Sequence, residues 1–582
     1  MTIFTVSRKN ENTKKVTFAT RLYSDVIVCV GILALFGVAA YVLQGINMPV
    51  KQGNIPSAVS ADPARLPYYA LRSVFRMFVA LIFSLIFTVV YALAAARGRR
   101  LGRVLIPLLD ILQSVPILGF LSATVTVWLV IFPNSMLGVE AASIFAIFTG
   151  QAWNMTFSFH RSLLSEPKEL DEAARSLGLS RWQRFWTLDM PNSAIPLLWN
   201  CMMSVGGGWF FLTASEMISV NNRTYALPGI GSFVAQAAAE DKPGHIRWAI
   251  GTMIIVVVAI DFLLWKPLTA WAERFRITHG AGGEERRSAV LTLIRQSHTD
   301  EIIGRIFSPL REQIDRAMRI FGKTGAKWHR GGRMEKPADF AFTAAVLAVT
   351  AAAAARLLFF VSQTTGLGEF ATAGFLGALT FIRVAVLILL STLIWVPIGA
   401  VIGMHPKVSR IMQPVVQICA SFPANFIFPF AMVWFSAWHI DLSLGSIILM
   451  ALGTQWYILF NVIAGASAIP GDLREMARSF RLGPLLRWKS LILPAIFGPW
   501  CTGGLTAAGG AWNASIVSEI VEYGKHRFST PGLGTYIADA TGAGDTARIL
   551  VGITVMSLIV VLSNKLFWAP LQRIAAGRFT VG

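Results

Sequence analysis

Cysteine, carboxylate and charge are all scarce in this chain. Only four cysteines, Cys29, Cys201, Cys419 and Cys501, occur in 582 residues. None has the short paired spacing of a zinc or redox site, and all lie in or beside apolar segments, where they read as small buried residues. His, Cys and carboxylates nowhere gather with catalytic spacing, which argues against a membrane enzyme. Charged residues make up 14% of the chain and hydrophobic ones 54%. The mean hydropathy of +0.59 excludes an ordinary soluble globular protein. Carboxylates number 31 against 51 Lys and Arg, a net charge of +20. That excess does not point to nucleic acid, because the basic residues sit between apolar segments and alternate ends as the positive-inside rule expects. A phosphate-binding loop is missing too. Gly322-Lys323-Thr324 imitates the tail of one, yet the position five before Gly322 is Ala317, and a helical pattern precedes it instead of a strand.

What the chain does contain is a duplication. The stretch Glu172-Ala173-Ala174-Arg175-Ser176-Leu177-Gly178, running on to Leu188 and Pro191, returns about 300 residues later as Glu475-Met476-Ala477-Arg478-Ser479-Phe480-Arg481, running on to Leu491 and Pro494. In the same register Trp153 matches Trp456, Trp209 matches Trp512, Glu216 matches Glu519, and Pro228-Gly229-Ile230-Gly231 matches Pro531-Gly532-Leu533-Gly534. A period this long means repetition of a whole domain and not a solenoid of short repeats.

The repeated stretch resembles the Glu-Ala-Ala signature of binding-protein-dependent ABC importer permeases. The Trp before each loop, the Glu after it and the trailing Pro-Gly-x-Gly resemble most the branch that carries nitrate, sulfonates, taurine and bicarbonate. The resemblance covers roughly 70–270 and 375–575. It implies an all-α membrane protein, with two tandem six-helix halves of the type I ABC importer permease fold. It also implies that each signature forms a short helix that docks on one of two ATPase subunits, identical or different, and that an extracytoplasmic binding protein delivers the solute. ATP and Mg would then belong to the partner subunits, this chain binding no cofactor or metal of its own. The rival class is a twelve-helix secondary transporter, which predicts inner charged residues for ion coupling and no docking loop.

Basic clusters give an expected topology. Residues 1–22 carry Arg8, Lys9, Lys14, Lys15 and Arg21 and form a cytoplasmic N-terminus. The first half is expected over 23–271, a basic cytoplasmic linker over 272–337 and the second half over 338–582. Twelve spans are read near 23–43, 73–96, 105–132, 136–159, 191–218, 248–265, 339–361, 378–402, 411–436, 440–464, 494–520 and 547–568. Helices are required because lipid leaves no backbone group a partner outside the segment, and the runs lack barrel alternation. Both termini are thereby cytoplasmic, in a bacterial inner membrane. Within the linker, Ser308-Pro309 begins an amphipathic pattern ending at Gly322; it fits either the anionic inner leaflet or the chain's own cytoplasmic surface.

Coupling to the ATPases is assigned to Glu172, Ala173, Ala174 and Gly178, and to Glu475, Ala477, Arg481 and Gly483. Small residues allow a helix to sit close in a groove, and Gly178 permits a sharp exit with positive φ. Arg481 stands where the first loop has Gly178, so the second loop is expected to leave its helix later, at Gly483, and the first to couple more tightly. Polar and aromatic groups inside spans are pathway candidates: Asp110, Gln113, Trp153, Trp209 and Glu216 in the first half, and Gln417, Ser421, Trp456, Trp512 and Glu519 in the second. Glu216 and Glu519 are open to two roles, gating or pairing near Pro-Gly-x-Gly. Gly206-Gly207-Gly208 and Gly509-Gly510-Ala511 provide either close helix crossing or room for a solute, with Trp209 and Trp512 expected to face each other across the pseudo-twofold axis.

Overall fold

A computed structural model describes residues 58–114, 117–133, 135–220, 223–275, 288–297, 336–523 and 526–578, with isolated positions between 23 and 41 and between 308 and 313. Asp62 accepts the Ala64 N–H at 3.0 Å and Pro63 leads one 3-10 turn, so α1 (Leu66–Arg97) enters with its first donors accounted for. The first half continues through α2 (Arg99–Ser114), α3 (Ile117–Ile131), α4 (Met136–Leu164), α5 (Lys168–Ser176) and α6 (Arg181–Ser215). A hairpin of β1 (Met217–Val220) and β2 (Arg223–Ala226) follows, then α7 (Ile230–Ala239) and α8 (Pro243–Phe275). The linker contributes α9 (Ala289–Gln296). The second half repeats the order: α10 (Lys336–Thr364), α11 (Gly368–Met404), α12 (Pro406–Ser421), α13 (Phe428–Ala437), α14 (Leu442–Ser467), α15 (Gly471–Ser479), α16 (Pro484–Ser518), β3 (Ile520–Tyr523), β4 (His526–Ser529), α17 (Leu533–Ala543) and α18 (Thr546–Ala575).

The duplication holds in backbone detail. Single π-turns interrupt α6 at Phe185–Asp189 and α16 at Trp488–Ile492, and again α8 at Asp261–Trp265 and α18 at Asn564–Trp568. Each pair lies at equivalent positions of the two halves.

Eight helices among the described residues are long and apolar enough to cross a bilayer: α1, α6, α8, residues 344–364 of α10, α11, α14, α16 and α18. Helix α4 has the length, but it buries Glu140, Ser143, Thr149 and Gln151 along its course. Two expected spans are not continuous. The segment at 105–132 divides into α2 and α3, and that at 411–436 into α12 and α13. The second break has a plain cause: Phe422 is extended (φ −78, ψ 128) before Pro423, since a proline ring clashes with a helical residue ahead of it. Twelve continuous spans are therefore not reached among the described residues. The expected span at 23–43 is described only in part, with 23–31 helical, and most of the amphipathic pattern at 308–322 lies outside the described residues.

The broken segments lock the halves together. Ile117, Leu121 and Val125 of α3 pack into the second half's core beside Trp512, Leu533 and Val555. Reciprocally, Phe426, with Ile418, Phe422 and Phe430, packs into the first half's core. Two side chains pin the exchange: Asn513 Oδ1 accepts the Ile117 N–H at 2.8 Å, and Asn425 Nδ2 donates to Thr213 Oγ1 at 2.8 Å.

Each half is also closed by a buried carboxylate. Glu216, at the end of α6, accepts the Gly231 N–H at 2.6 Å and Arg76 Nη1 at 2.8 Å, and bonds Ser73 Oγ, which itself accepts the Ile230 N–H at 3.0 Å. Glu519 repeats this with Gly534 N–H and Arg383 Nη1, both at 2.8 Å, and Thr380 Oγ1 at 2.7 Å. The arginines also donate to Pro228 O at 2.9 Å and Pro531 O at 2.8 Å. The glycines are required for space: a Cβ on Gly229 would lie 2.1 Å from Glu216 Cδ, and one on Gly532 2.2 Å from Glu519 Oε2. One difference separates the halves. Arg76 shares a second carboxylate, Glu140, with Arg72, whereas Glu519 is the one carboxylate paired with Arg383 among the described residues.

Two outcomes follow for stability in detergent. Glu519→Gln strands Arg383 without a counter-charge, and Glu216→Gln leaves Arg72 and Arg76 with Glu140 alone, so each variant buries one unmatched positive charge and should cost about 3 kcal/mol, the lower end for a broken buried pair; thermal unfolding of the two variants measures both costs. Gly503 of α16 would place a Cβ 2.7 Å from Tyr457 O, whereas Gly509 on the same helix meets nothing within 4 Å. Gly503→Ala should therefore lower the midpoint by an overpacking cost of roughly 1–3 kcal/mol, and Gly509→Ala should leave it unchanged or raise it.

Candidate functional site

The two signature helices α5 and α15 have one backbone design. In the first, Gly178 takes φ +60, its N–H donates to Arg175 O at 3.0 Å and the Leu179 N–H reaches back to Ala174 O at 3.1 Å. These are the paired bonds of a Schellman turn. In the second, Arg481 takes φ +47, with Arg481 N–H to Arg478 O at 2.9 Å and Leu482 N–H to Ala477 O at 3.1 Å. The expected later exit at Gly483 is thus overturned: Gly483 has φ −61 and serves as the N-cap of the next helix. Two hydrogen bonds and an exposed side chain offset a left-handed cost of about 1–2 kcal/mol. In backbone design the loops part after the turn, where Ser180 and Gln183 make a reciprocal capping box and Gly483-Pro484 relies on proline in the first turn.

The alanines divide by face. Ala174 and Ala477 are buried against the chain itself, while Glu172, Ala173, Gly178, Glu475, Arg481 and Gly483 are exposed. Apolar side chains crown both turns in the open: Leu177 is 75% exposed, Phe480 71% and Leu485 84%.

Beneath α5 lies an ion-pair network that sequence reading missed. Arg184 reaches Glu166 at 2.6 Å and Asp189 at 3.3 Å and also pairs with Asp171, which holds Arg175 at 2.6 Å; Asp189 in turn pairs with Arg97. Burial raises the Glu166 carboxyl above its usual range even beside Arg184. The signal was available, since these carboxylates and arginines stand four, five, thirteen and eighteen residues apart around the signature itself. Arg76 and Arg383 were missed although a charge inside an apolar run is a functional candidate by default.

The pathway candidates separate into groups. Trp209, Gln417 and Ser421 come together, lining one cavity between the halves with Asp261 and Trp265. Gln417 and Ser421 thus face α6 of the first half. Gln113 is half-buried on α2, which packs against α1 and α18, and the side chain of Asp110 lies outside the described residues. Trp512 stacks on Phe381 of its own half at 6.5 Å, and Trp209 lies in the first half's core, so the two do not face each other across an axis. Trp153 packs edge-on to Phe87 at 5.6 Å and Trp456 against Trp395 at 5.4 Å. Glu216 and Glu519 are fully buried in the closures described above. Of the glycine runs, the first is close-packed, with added Cβ atoms 3.1 Å from Ser421 Oγ at Gly206 and 2.4 Å from the Tyr457 hydroxyl at Gly207. In the second run Gly510 meets Thr454 at 3.1 Å and only Gly509 faces open space.

Known proteins resemble this chain in sequence. The chain is 26% identical over 184 residues to a nitrate import permease of Leptolyngbya laminosa, covering 32% of this chain and 62% of that one. It is 26% identical over 191 residues to a bicarbonate transport permease of Synechococcus elongatus, covering 33% and 65%, and 28% identical over 217 residues to a taurine transport permease of Escherichia coli, covering 37% and 72%. The chain thus spans a little under two thirds of the nitrate and bicarbonate permeases. The model of the binding-protein-dependent transport system inner membrane component family matches twice, over 80–265 and 395–573. With both halves of its duplication matched, the chain belongs to this family of multi-pass membrane permeases, carrying two copies of the family domain in one polypeptide.

Proposed function

We propose that this chain supplies both membrane halves of an ABC importer for a small anionic solute of the nitrate, bicarbonate, taurine or sulfonate kind. Two separate ATPase subunits dock on α5 and α15, hydrolyse ATP with Mg, and drive alternating access between the halves; an extracytoplasmic binding protein delivers the solute. The observation that carries this reading is the pair of short helices with one Schellman exit and an exposed apolar crown, at equivalent places in two family domains. Relatives named as permeases for nitrate, bicarbonate and taurine support the solute class. Arg97, Arg99, Arg100 and Arg103 lie at the same end of the bundle as the signature loops and support placing that end, the termini and the linker in the cytoplasm of a bacterial inner membrane. The cavity at Trp209, Gln417 and Ser421 lies between the halves, where alternating access would open a path.

Reconstitution tests the whole reading. The chain with its co-purifying ATPases in liposomes, supplied with binding protein, should transport only with ATP. The chain alone should neither hydrolyse ATP nor transport, and transport by the chain alone under an ion gradient would establish a secondary transporter instead. Leu177→Asp or Phe480→Asp places a charge in the docking crown and should lower transport-coupled ATP hydrolysis roughly tenfold, about 1.4 kcal/mol. Arg481→Gly keeps the same left-handed turn and should leave thermal stability unchanged or slightly raised, because both loops share one backbone exit.

A further inference from the structure

The two signature loops carry opposite electrostatics. Residues 166–189 hold four cations and five carboxylates, a net charge of −1; the equivalent residues 469–492 hold five cations and two carboxylates, a net charge of +3. The change is concentrated under the helix. Ile469, Arg474 and Ile492 stand where the first half has Glu166, Asp171 and Asp189, the three carboxylates that neutralise Arg184. The cations persist: Arg487 corresponds to Arg184 and Arg478 to Arg175.

Among the described residues no carboxylate pairs with Arg474, Arg478, Arg481 or Arg487, and Arg487 Nε is buried without a hydrogen-bond partner. Arg474 is spent on backbone, donating to Ser467 O at 3.0 Å and Ala466 O at 3.2 Å at the end of α14. Burial, with Arg478 and Arg487 alongside, holds its guanidinium below the usual value. Like charges this close repel, and a second set of carboxylates removes that cost only if it arrives from outside the fold. The surround is apolar and exposed at Phe480, Leu485 and Leu486. Lipid does not fit the place, since the first loop fills the equivalent position with net negative charge and anionic headgroups would repel it.

Resting on the coupling role proposed above, we propose that the second loop is an acidic-partner site: the ATPase face beneath α15 presents carboxylates to Arg478, Arg481 and Arg487, and these complete the network that the first half builds within itself. Docking at the second loop is then salt-sensitive, and docking at the first is dominated by apolar contact.

The test uses the chain co-purified with its ATPase subunits and carrying Arg478→Lys, which keeps the charge and supplies an amine. An amine-to-amine cross-linker reports whether the ATPase lies beneath each loop, with native Lys168 serving the first. A zero-length carbodiimide joins the introduced amine only to a touching carboxylate, and peptide mass spectrometry identifies the chain joined. The expected result is amide formation with an Asp or Glu of the ATPase. Joining to a carboxylate of this chain's own linker, such as Glu284, Glu285 or Glu312, overturns the proposal by showing completion in cis. Amine-to-amine linkage without any carbodiimide product at the second loop also overturns it, while leaving docking intact; absence of ATPase linkage at both loops would sink the coupling role itself. Independently, Arg478→Gln with Arg481→Gln should lower the salt concentration that strips the ATPase about threefold, whereas Arg175→Gln, whose charge is already matched by Asp171, should not. Equal sensitivity of both would contradict the charge asymmetry.

Discussion

A carboxylate inside a bilayer protein is held only by donors that arrive together, and Glu216 and Glu519 show what that demands of a chain. Each closes a circuit of four separate elements: the end of α6 or α16, the hairpin behind it, the first turn of α7 or α17, and an arginine one turn beyond Ser73 or Thr380. The Pro-Gly-x-Gly segment exists for this circuit. Its first glycine leaves room for the carboxylate and its second, Gly231 or Gly534, gives up its N–H to it, while a Cβ there would strike Thr213 O or Ser515 O at 2.4 Å. A single requirement therefore explains an acid, a base, a hydroxyl and two glycines scattered over about 160 residues of each half.

With each half closed at that end, the halves are joined by α3 on one side and by the segment that Pro423 breaks on the other. A straight span at 411–436 would have buried its side chains within its own half; the extended residue before Pro423 turns the chain so that Phe426 enters the other core. The exchange uses backbone N–H and side-chain amides in place of helix-to-helix continuity, which is permissible at membrane depth only because the break is buried in protein. Fusion of two family domains in one chain fixes the pairing of unlike halves and lets their surfaces diverge.

The duplication, the helical class and the order of elements were legible because each is written as periodic pattern or repeated spacing. The carboxylate closures were half legible: Pro-Gly-x-Gly and Glu216 stood out, but Arg76 and Arg383 were hidden in apolar runs whose hydropathy their neighbours dominate. Trp209 and Trp512 show a different limit. Equivalent positions in two halves are not equivalent neighbours once the halves exchange segments, so symmetry in sequence did not place those rings opposite each other. Arg481 shows a third: residue preference for positive φ is worth only about 1–2 kcal/mol, and two turn-closing hydrogen bonds override it.

The divergence has a direction. Within the bundle, the copies keep Glu216 and Glu519, the Pro-Gly-x-Gly glycines and the π-turns in register. At the signature loops the backbone is also kept, down to the left-handed residue, yet the charges beneath it are not. On the docking proposed above, backbone geometry lets each helix enter a groove and side-chain charge lets the groove recognise which helix has entered. A permease made of two identical chains cannot give its two signature loops different charges, because any substitution appears in both. A fused chain can, and Asp171 standing opposite Arg474 is the kind of substitution that such freedom permits.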